Sequence, residues 1–357
     1  MKLISKNQNV KAYALKEGNL FWNSYNEVYN YDGEVIFKSE TSLQNIKFDQ
    51  PFLFISDTVS DSIIIGKQNI RLEGVFVHAR YTEESLFVYK EGSTKLLNLK
   101  DGVSFHDFLD DRIFTFLRHD NFLFYKKDKT KIFCCTVPDA RAIWQYNLAD
   151  LGTYTPLYKQ EEKHFEVGKF LGVWQNDLLI ACDGGLLLAL NQESGVLTRQ
   201  WQGLPKGADD YLQSVFRGQL PQQGYIYQLN QAQTHIEAFF LHYYFYIDLE
   251  SGTMHLINCK DNLKKYQIEQ FKYSSAYAED ETHLYTKVTY DKGTLGTDYI
   301  PTGLCAFNKQ THEIDWQYRF DQHDDYLKTD NPQLSDNKLY QLSADKVLYI
   351  FEKEVDA

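Results

Sequence analysis

Residues 187–202 read LLALNQESGVLTRQWQ: an apolar run, a short polar turn centred on Gly195, then a second run that ends on Trp201. The pattern recurs. A turn followed four positions later by an apolar residue or Trp appears at 33–37, 92–96, 140–144, 252–256 and 312–316. In the copy at 187–202 the Trp arrives two residues later, which keeps it on the same face of a period-two strand. The segments that lead into the turns also match, as LFVYKEG at 86–92, YFYIDLESG at 244–252 and LCAFNKQTH at 304–312. Each reads as a buried strand entering a tight hairpin.

Successive turns lie roughly 50–60 residues apart. That period suits a β-propeller blade of four antiparallel strands and is too long for leucine-rich or ankyrin repeats. Two-residue alternation and abundant Tyr, Phe, Val and Ile exclude helical arrays of similar period. The chain end tells how the repeat closes. VLYIFEKE at 347–354 copies the strand before the turn, yet the chain stops three residues later. The missing outer strand is expected from the N-terminal MKLIS, which has no other partner and whose pairing removes two open edges. The expected fold is therefore all-β, a seven-bladed propeller of four-stranded antiparallel blades with the last blade closed by the N-terminal strand. Segment 51–73, PFLFISDTVSDSIIIGKQNIRLE, fits the pattern poorly and leaves room for an eighth blade.

The 357 residues are expected to form a single propeller domain, 1–357, since no Pro-, Gly- or Ser-rich linker divides them. Phe (24) and Tyr (26) supply flat side chains for packing one blade on the next. The N-terminal segment lacks a signal-peptide core, and the longest apolar stretch, AFFLHYYFYI at 238–247, is too short to span a bilayer. A cytoplasmic protein without a membrane partner is expected. Five scattered cysteines do not make a disulfide framework. A net charge of −12 argues against nucleic-acid binding and permits a basic partner.

The hairpin with its downstream Trp, clearest in LCAFNKQTHEIDWQ at 304–317 and LLALNQESGVLTRQWQ at 187–202, resembles the pyrroloquinoline-quinone-like repeat of quinoprotein-type propellers. The resemblance implies that Trp144, Trp201 and Trp316 dock against the neighbouring blade. It does not carry the cofactor over, because the quinone dehydrogenases of that family are exported, use calcium and are longer. Neither a quinone nor any other cofactor is expected here. Adjacent Cys134 and Cys135 resemble the vicinal disulfide of some of those enzymes, but within KIFCCTV they read as two small strand residues on opposite faces.

None of the ten histidines has a second ligand at metal-motif spacing, and no nucleophile elbow, phosphate-binding loop or EF-hand pattern is present. An active site collected from several blades around a central channel would be invisible at this level. Acidic doublets stand out instead, at Asp110-Asp111, Glu161-Glu162, Asp209-Asp210 and Asp324-Asp325, each in a connection from one blade to the next. Two are repeat-related, since DDYL follows Trp201 and Trp316 at one offset, which adds Tyr211 and Tyr326 to the set. The carboxylates have three readings: caps on loop amides, a docking face for a basic protein, or a cation site. The leading expectation is a non-enzymatic, cytoplasmic protein-binding propeller, in its specific form an immunity or neutralising protein for a basic partner. The alternative is a hydrolase or lyase with its site in the channel, and a quinone or metal oxidoreductase is disfavoured.

Overall fold

Eight antiparallel sheets of four strands, one of them with a short fifth strand added, follow one another along the chain, and the fold is a β-propeller of eight blades. The computed structural model describes all residues except 17–18, 50–51, 58–59, 66–67, 83, 100–103, 110–112, 114, 138, 158, 273–276, 291–301, 321–330, 344 and 355–357. Blades 1 to 7 begin with the strands Ala12–Lys16, Asn45–Asp49, Phe76–Thr82, Phe116–His119, Glu166–Trp174, Gln228–Leu229 and Ile268–Phe271. Blade 8 takes Gln333–Ser335, Lys338–Leu342 and Leu348–Glu352 from the C-terminal part, and Lys2–Asn7 is its fourth strand. Lys2 lies opposite Glu352 and Asn7 opposite Leu348, so the closure expected from VLYIFEKE and MKLIS is the one formed.

Eight blades rather than seven are present because segment 51–73 belongs to a blade of its own. Its strands Phe52–Ser56, Ser60–Ile65 and Gln68–Glu73 pair with Asn45–Asp49 in a complete sheet. A second adjustment concerns the turn at Gly92. It joins the second and third strands of blade 3, Ser85–Lys90 and Ser93–Asn98, whereas the turns at 33, 140, 195, 252 and 312 join third strands to fourth.

The chain divides into two compact units. One, 1–112 with 320–357, holds blades 8, 1, 2 and 3. Its core lies in layers between consecutive blades: Tyr13 and Leu20 against Tyr340 and Ile350, Ala14 and Val28 against Leu53 and Ile55, Phe54 and Ile63 against Leu86 and Val88. The other unit, 113–319, holds blades 4 to 7 and is layered in the same way, with Leu178, Ile180 and Leu188 facing blade 4 and Leu179, Leu187 and Ala189 facing blade 6. Alternate residues of one strand thus serve two seams, so 178–182 and 186–190 are wholly buried and read as continuous apolar runs.

Within this second unit, polar clasps tie consecutive blades together at a repeated turn. Asn191, Asp248 and Asn308 open the third-to-fourth turns of blades 5, 6 and 7. Each uses its side-chain oxygen to accept from backbone amides two or three residues on. The fifth turn residue is left-handed, with φ of 70° at Gly195, 72° at Gly252 and 58° at His312. The preceding blade then bonds the turn carbonyls. Trp144 of blade 4 donates its indole N–H to Gln192 O at 2.9 Å. At the next seam Arg199, which stands where Trp144 stands, donates to Leu249 O, while Trp201 donates to Gly252 O at 2.9 Å. At the third seam the helix Lys260–Lys265 takes over, and Asn262 donates to His312 O at 2.9 Å. Trp316 is half-buried on the strand Ile314–Arg319. Cys134 and Cys135 are free and buried on opposite faces of the strand Lys131–Thr136, and burial pushes both thiols up to about 12.

Candidate functional site

The doublet Asp209-Asp210 lies where blade 5 hands over to blade 6. After Trp201 the chain crosses Pro205 and Gly207 and enters the helix Asp210–Phe216 with Asp209 as its N-cap. An Asp at this position satisfies one of the free amides of the first turn, and here its Oδ1 accepts from Leu212 N at 3.0 Å. Its Oδ2 accepts from the Tyr243 hydroxyl and, at 3.4 Å, from Asn258 Nδ2. The Tyr243 hydroxyl and the Leu212 amide hold the Asp209 carboxyl below the usual carboxylate range, helped by His242 and Lys260. Burial raises the Tyr243 hydroxyl, and its bond to Asp209 raises it further. Asp209 is thus a cap that ties the helix to blade 6.

The same helix presents a second set of groups outward. Leu212 and Phe216 are buried under it, with Phe216 edge-on to Phe240 at 5.6 Å. Asp210 and Tyr211 remain exposed, Tyr211 to 51%. The Tyr211 ring stacks on His242, 5.6 Å between centroids and 21° between planes, and His242 sits at the turn between the second and third strands of blade 6. Burial, and then Lys260, lower the His242 pKa and disfavour a charge on the ring beneath Tyr211. An exposed aromatic ring and a carboxylate stand side by side on a helix anchored at its base.

Of the other residues singled out in sequence, Asp110, Asp111, Asp324, Asp325 and Tyr326 lie outside the described residues. Glu161 and Glu162 are exposed beside the short hairpin of Thr153–Tyr154 and Lys163–His164, where Glu162 accepts from the Thr153 hydroxyl at 2.7 Å. The doublets described thus fall in connections between blades, and in each a carboxylate accepts from a nearby donor.

A second cluster, which the sequence does not announce, sits in the seam between blades 6 and 7. Glu237, on the strand His235–Phe240, is 3% exposed and accepts from the Tyr277 hydroxyl at 2.5 Å, with Tyr244 also bonded to it. Burial raises the Glu237 carboxyl to about 7, against the pull of Tyr277 and Tyr244. Glu279, 4% exposed, accepts from Lys309 Nζ at 2.6 Å and from Gln231 N at 2.5 Å. The Glu237 carboxyl, raised in this way, has the proton affinity of a general acid near neutral pH. The cluster is enclosed and bonds blade 6 to blade 7, so a structural role accounts for it. Among the described residues no group of three or more His, Cys, Asp or Glu is placed to hold a metal ion, and no helix is long and apolar enough to cross a membrane.

No protein-family model matches the chain, and no curated protein matches it. Among solved structures it is similar to the computationally designed Ika8 protein, with a TM-score of 0.58 and 9% identity over 98% of each chain. It is also similar to Sqt1 of Saccharomyces cerevisiae, with a TM-score of 0.60 and 10% identity over 99% of this chain and 100% of the other. BamB from Moraxella catarrhalis aligns with a TM-score of 0.45 and 14% identity, over 98% of this chain and 99% of that one. At these identities the likeness is one of fold.

Proposed function

We propose that the chain is a non-enzymatic protein-binding propeller, built on a quinoprotein-like repeat without its quinone, that receives a basic protein on the loop surface around Asp210 and Tyr211. The observation that carries this reading is the division of labour in the DDYL segment. Asp209 is committed as the cap to Leu212 N, Tyr243 and Asn258 and Leu212 is buried as the anchor, while Asp210 and Tyr211 face solvent on the pinned helix. An aromatic ring held this way loses little freedom on binding, and aromatic anchors contribute strongly to interfaces. The net charge of −12 adds long-range attraction for a cation-rich partner. In its specific form the protein is a cytoplasmic immunity protein that neutralises a basic toxin or nuclease.

The test is affinity capture from the native host with wild type, Asp210→Asn and Tyr211→Ala, followed by identification of the captured chains. The reading expects one basic protein whose recovery drops in both variants while their melting temperatures stay at the wild-type value. Capture of the same proteins by all three forms, or of an acidic partner, overturns it.

A further inference from the structure

The seam between blades 6 and 7 differs from its neighbours. Its apolar layer of Phe239, Tyr244, Phe271, Leu284, Val288 and Phe307 is interrupted by the buried carboxyls of Glu237 and Glu279. Both blades contribute. Glu237 and Tyr244 come from blade 6, as does the turn residue Gln231, while Tyr277, Glu279 and Lys309 come from the segments around the second and third strands of blade 7. Within this cluster the seam is crossed by the bond of Tyr277 Oη to Glu237 and by those of both the backbone N–H and the side-chain amide of Gln231 to Glu279. They fasten the first turn of blade 6 to the strand Ala278–Glu279, which is added to the second strand of blade 7.

The charges in this bolt do not balance. Lys309 is the cation bonded to it among the described residues, and its ammonium is committed to Glu279 at 2.6 Å and to Asp280 O at 2.6 Å. Glu237 receives only neutral tyrosyl donors. From its own strand it is neighboured two residues away by His235, whose partner is Asp248 at 3.7 Å, and by Tyr246 on the paired strand. Ionising Glu237 therefore places a second negative charge near Glu279 in an apolar layer, with a single ammonium for the two.

We propose that this seam is a pH-sensitive joint, closed when Glu237 carries a proton and loosened when the proton is lost, so that blades 6 and 7 separate more easily in alkaline than in acidic conditions. The linkage has one sign. A carboxyl whose proton affinity is raised in the folded state contributes stability that is fully present below the unfolded value of 4.5 and is lost as pH rises through about 7.

The experiment compares wild type with Glu237→Gln, a neutral isostere of the protonated acid, by thermal melting and amide exchange from about pH 5.5 to about pH 8.5. The joint requires the wild-type melting temperature to fall relative to that of the variant as pH rises. Exchange in the strands His235–Phe240 and His283–Tyr290, corrected for intrinsic rates, should rise in wild type and stay flat in the variant. Carboxyl-labelled glutamate in the wild-type protein gives a readout that does not depend on the variant folding, with one side chain expected to titrate near neutrality. Parallel melting profiles, or no glutamate titrating above about pH 6, overturn the proposal.

Discussion

At Gly195 two constraints coincide. The backbone is left-handed, with φ of 70°, and a Cβ built there would lie 2.6 Å from Cδ2 of the Trp144 ring. That ring is held by its bond to Gln192 O and has no easy retreat. Gly252 shares the left-handed backbone, but its nearest neighbour would be Trp201 Nε1 at 3.9 Å. Gly195→Ala is therefore expected to cost more than the roughly 1–2 kcal/mol of the left-handed backbone alone, and Gly252→Ala about that amount. Denaturant unfolding of the two variants measures the difference, and equal losses would mean that the Trp144 contact does not constrain the turn. Trp201, 6% exposed, should lose about 3–5 kcal/mol on truncation to Ala. The docking role of Trp144 and Trp201 was legible because an indole recurring after a turn has few other uses. Arg199 and Asn262 were not legible. They do the same bonding with different side chains, Arg199 from the strand position of Trp144 and Asn262 from a helix, and only the position of the turn carbonyls identifies them.

Among the elements, the strand Lys2–Asn7 joins the two ends of the chain in one sheet. Its absence would bare the strand Leu348–Glu352, whose Leu348, Tyr349, Ile350 and Phe351 are all buried. Deletion of residues 1–7 is expected to lower the melting temperature and promote association, and a monodisperse protein with unchanged melting would contradict that dependence. Closure was readable from the terminal strands because a blade missing its fourth strand leaves a visible gap in the repeat. Blade 2 was less readable. Only two residues separate its third strand from its fourth, in place of the five-residue turn opened by Asn191, Asp248 or Asn308. It also carries no Trp. The helix Asp210–Phe216 offers a further check, since Asp209→Ala removes the cap and the acceptor for Tyr243, with an expected loss of about 1 kcal/mol or somewhat more, whereas Asp209→Asn should retain most of the cap.

For the molecule as a whole, charge and local geometry make separable contributions to the proposed binding, and the DDYL segment allows them to be told apart. Only part of this site was legible beforehand: the shared offset marked the doublet, but nothing in it distinguished Asp209, bonded to Leu212 N and Tyr243, from Asp210, which faces solvent. The seam cluster was not legible at all, because Glu237, Tyr277, Glu279 and Lys309 come together only when two blades pack. For the surface groups, Asp210→Asn keeps shape and removes one exposed charge, while Tyr211→Ala removes an exposed ring and leaves the charge in place. Attraction between a chain of net charge −12 and a basic partner acts before contact and is screened over about 8 Å at physiological salt. Asp210→Asn is therefore expected to slow association with the captured partner, by an amount that shrinks as salt rises, and to leave dissociation nearly unchanged. Tyr211→Ala should do the reverse, speeding dissociation at every salt concentration, because the lost contact is short-ranged. Surface-immobilised binding kinetics at two salt concentrations resolve the four rates. Salt-independent effects of Asp210→Asn, or wild-type dissociation from Tyr211→Ala, would move the interface away from this helix.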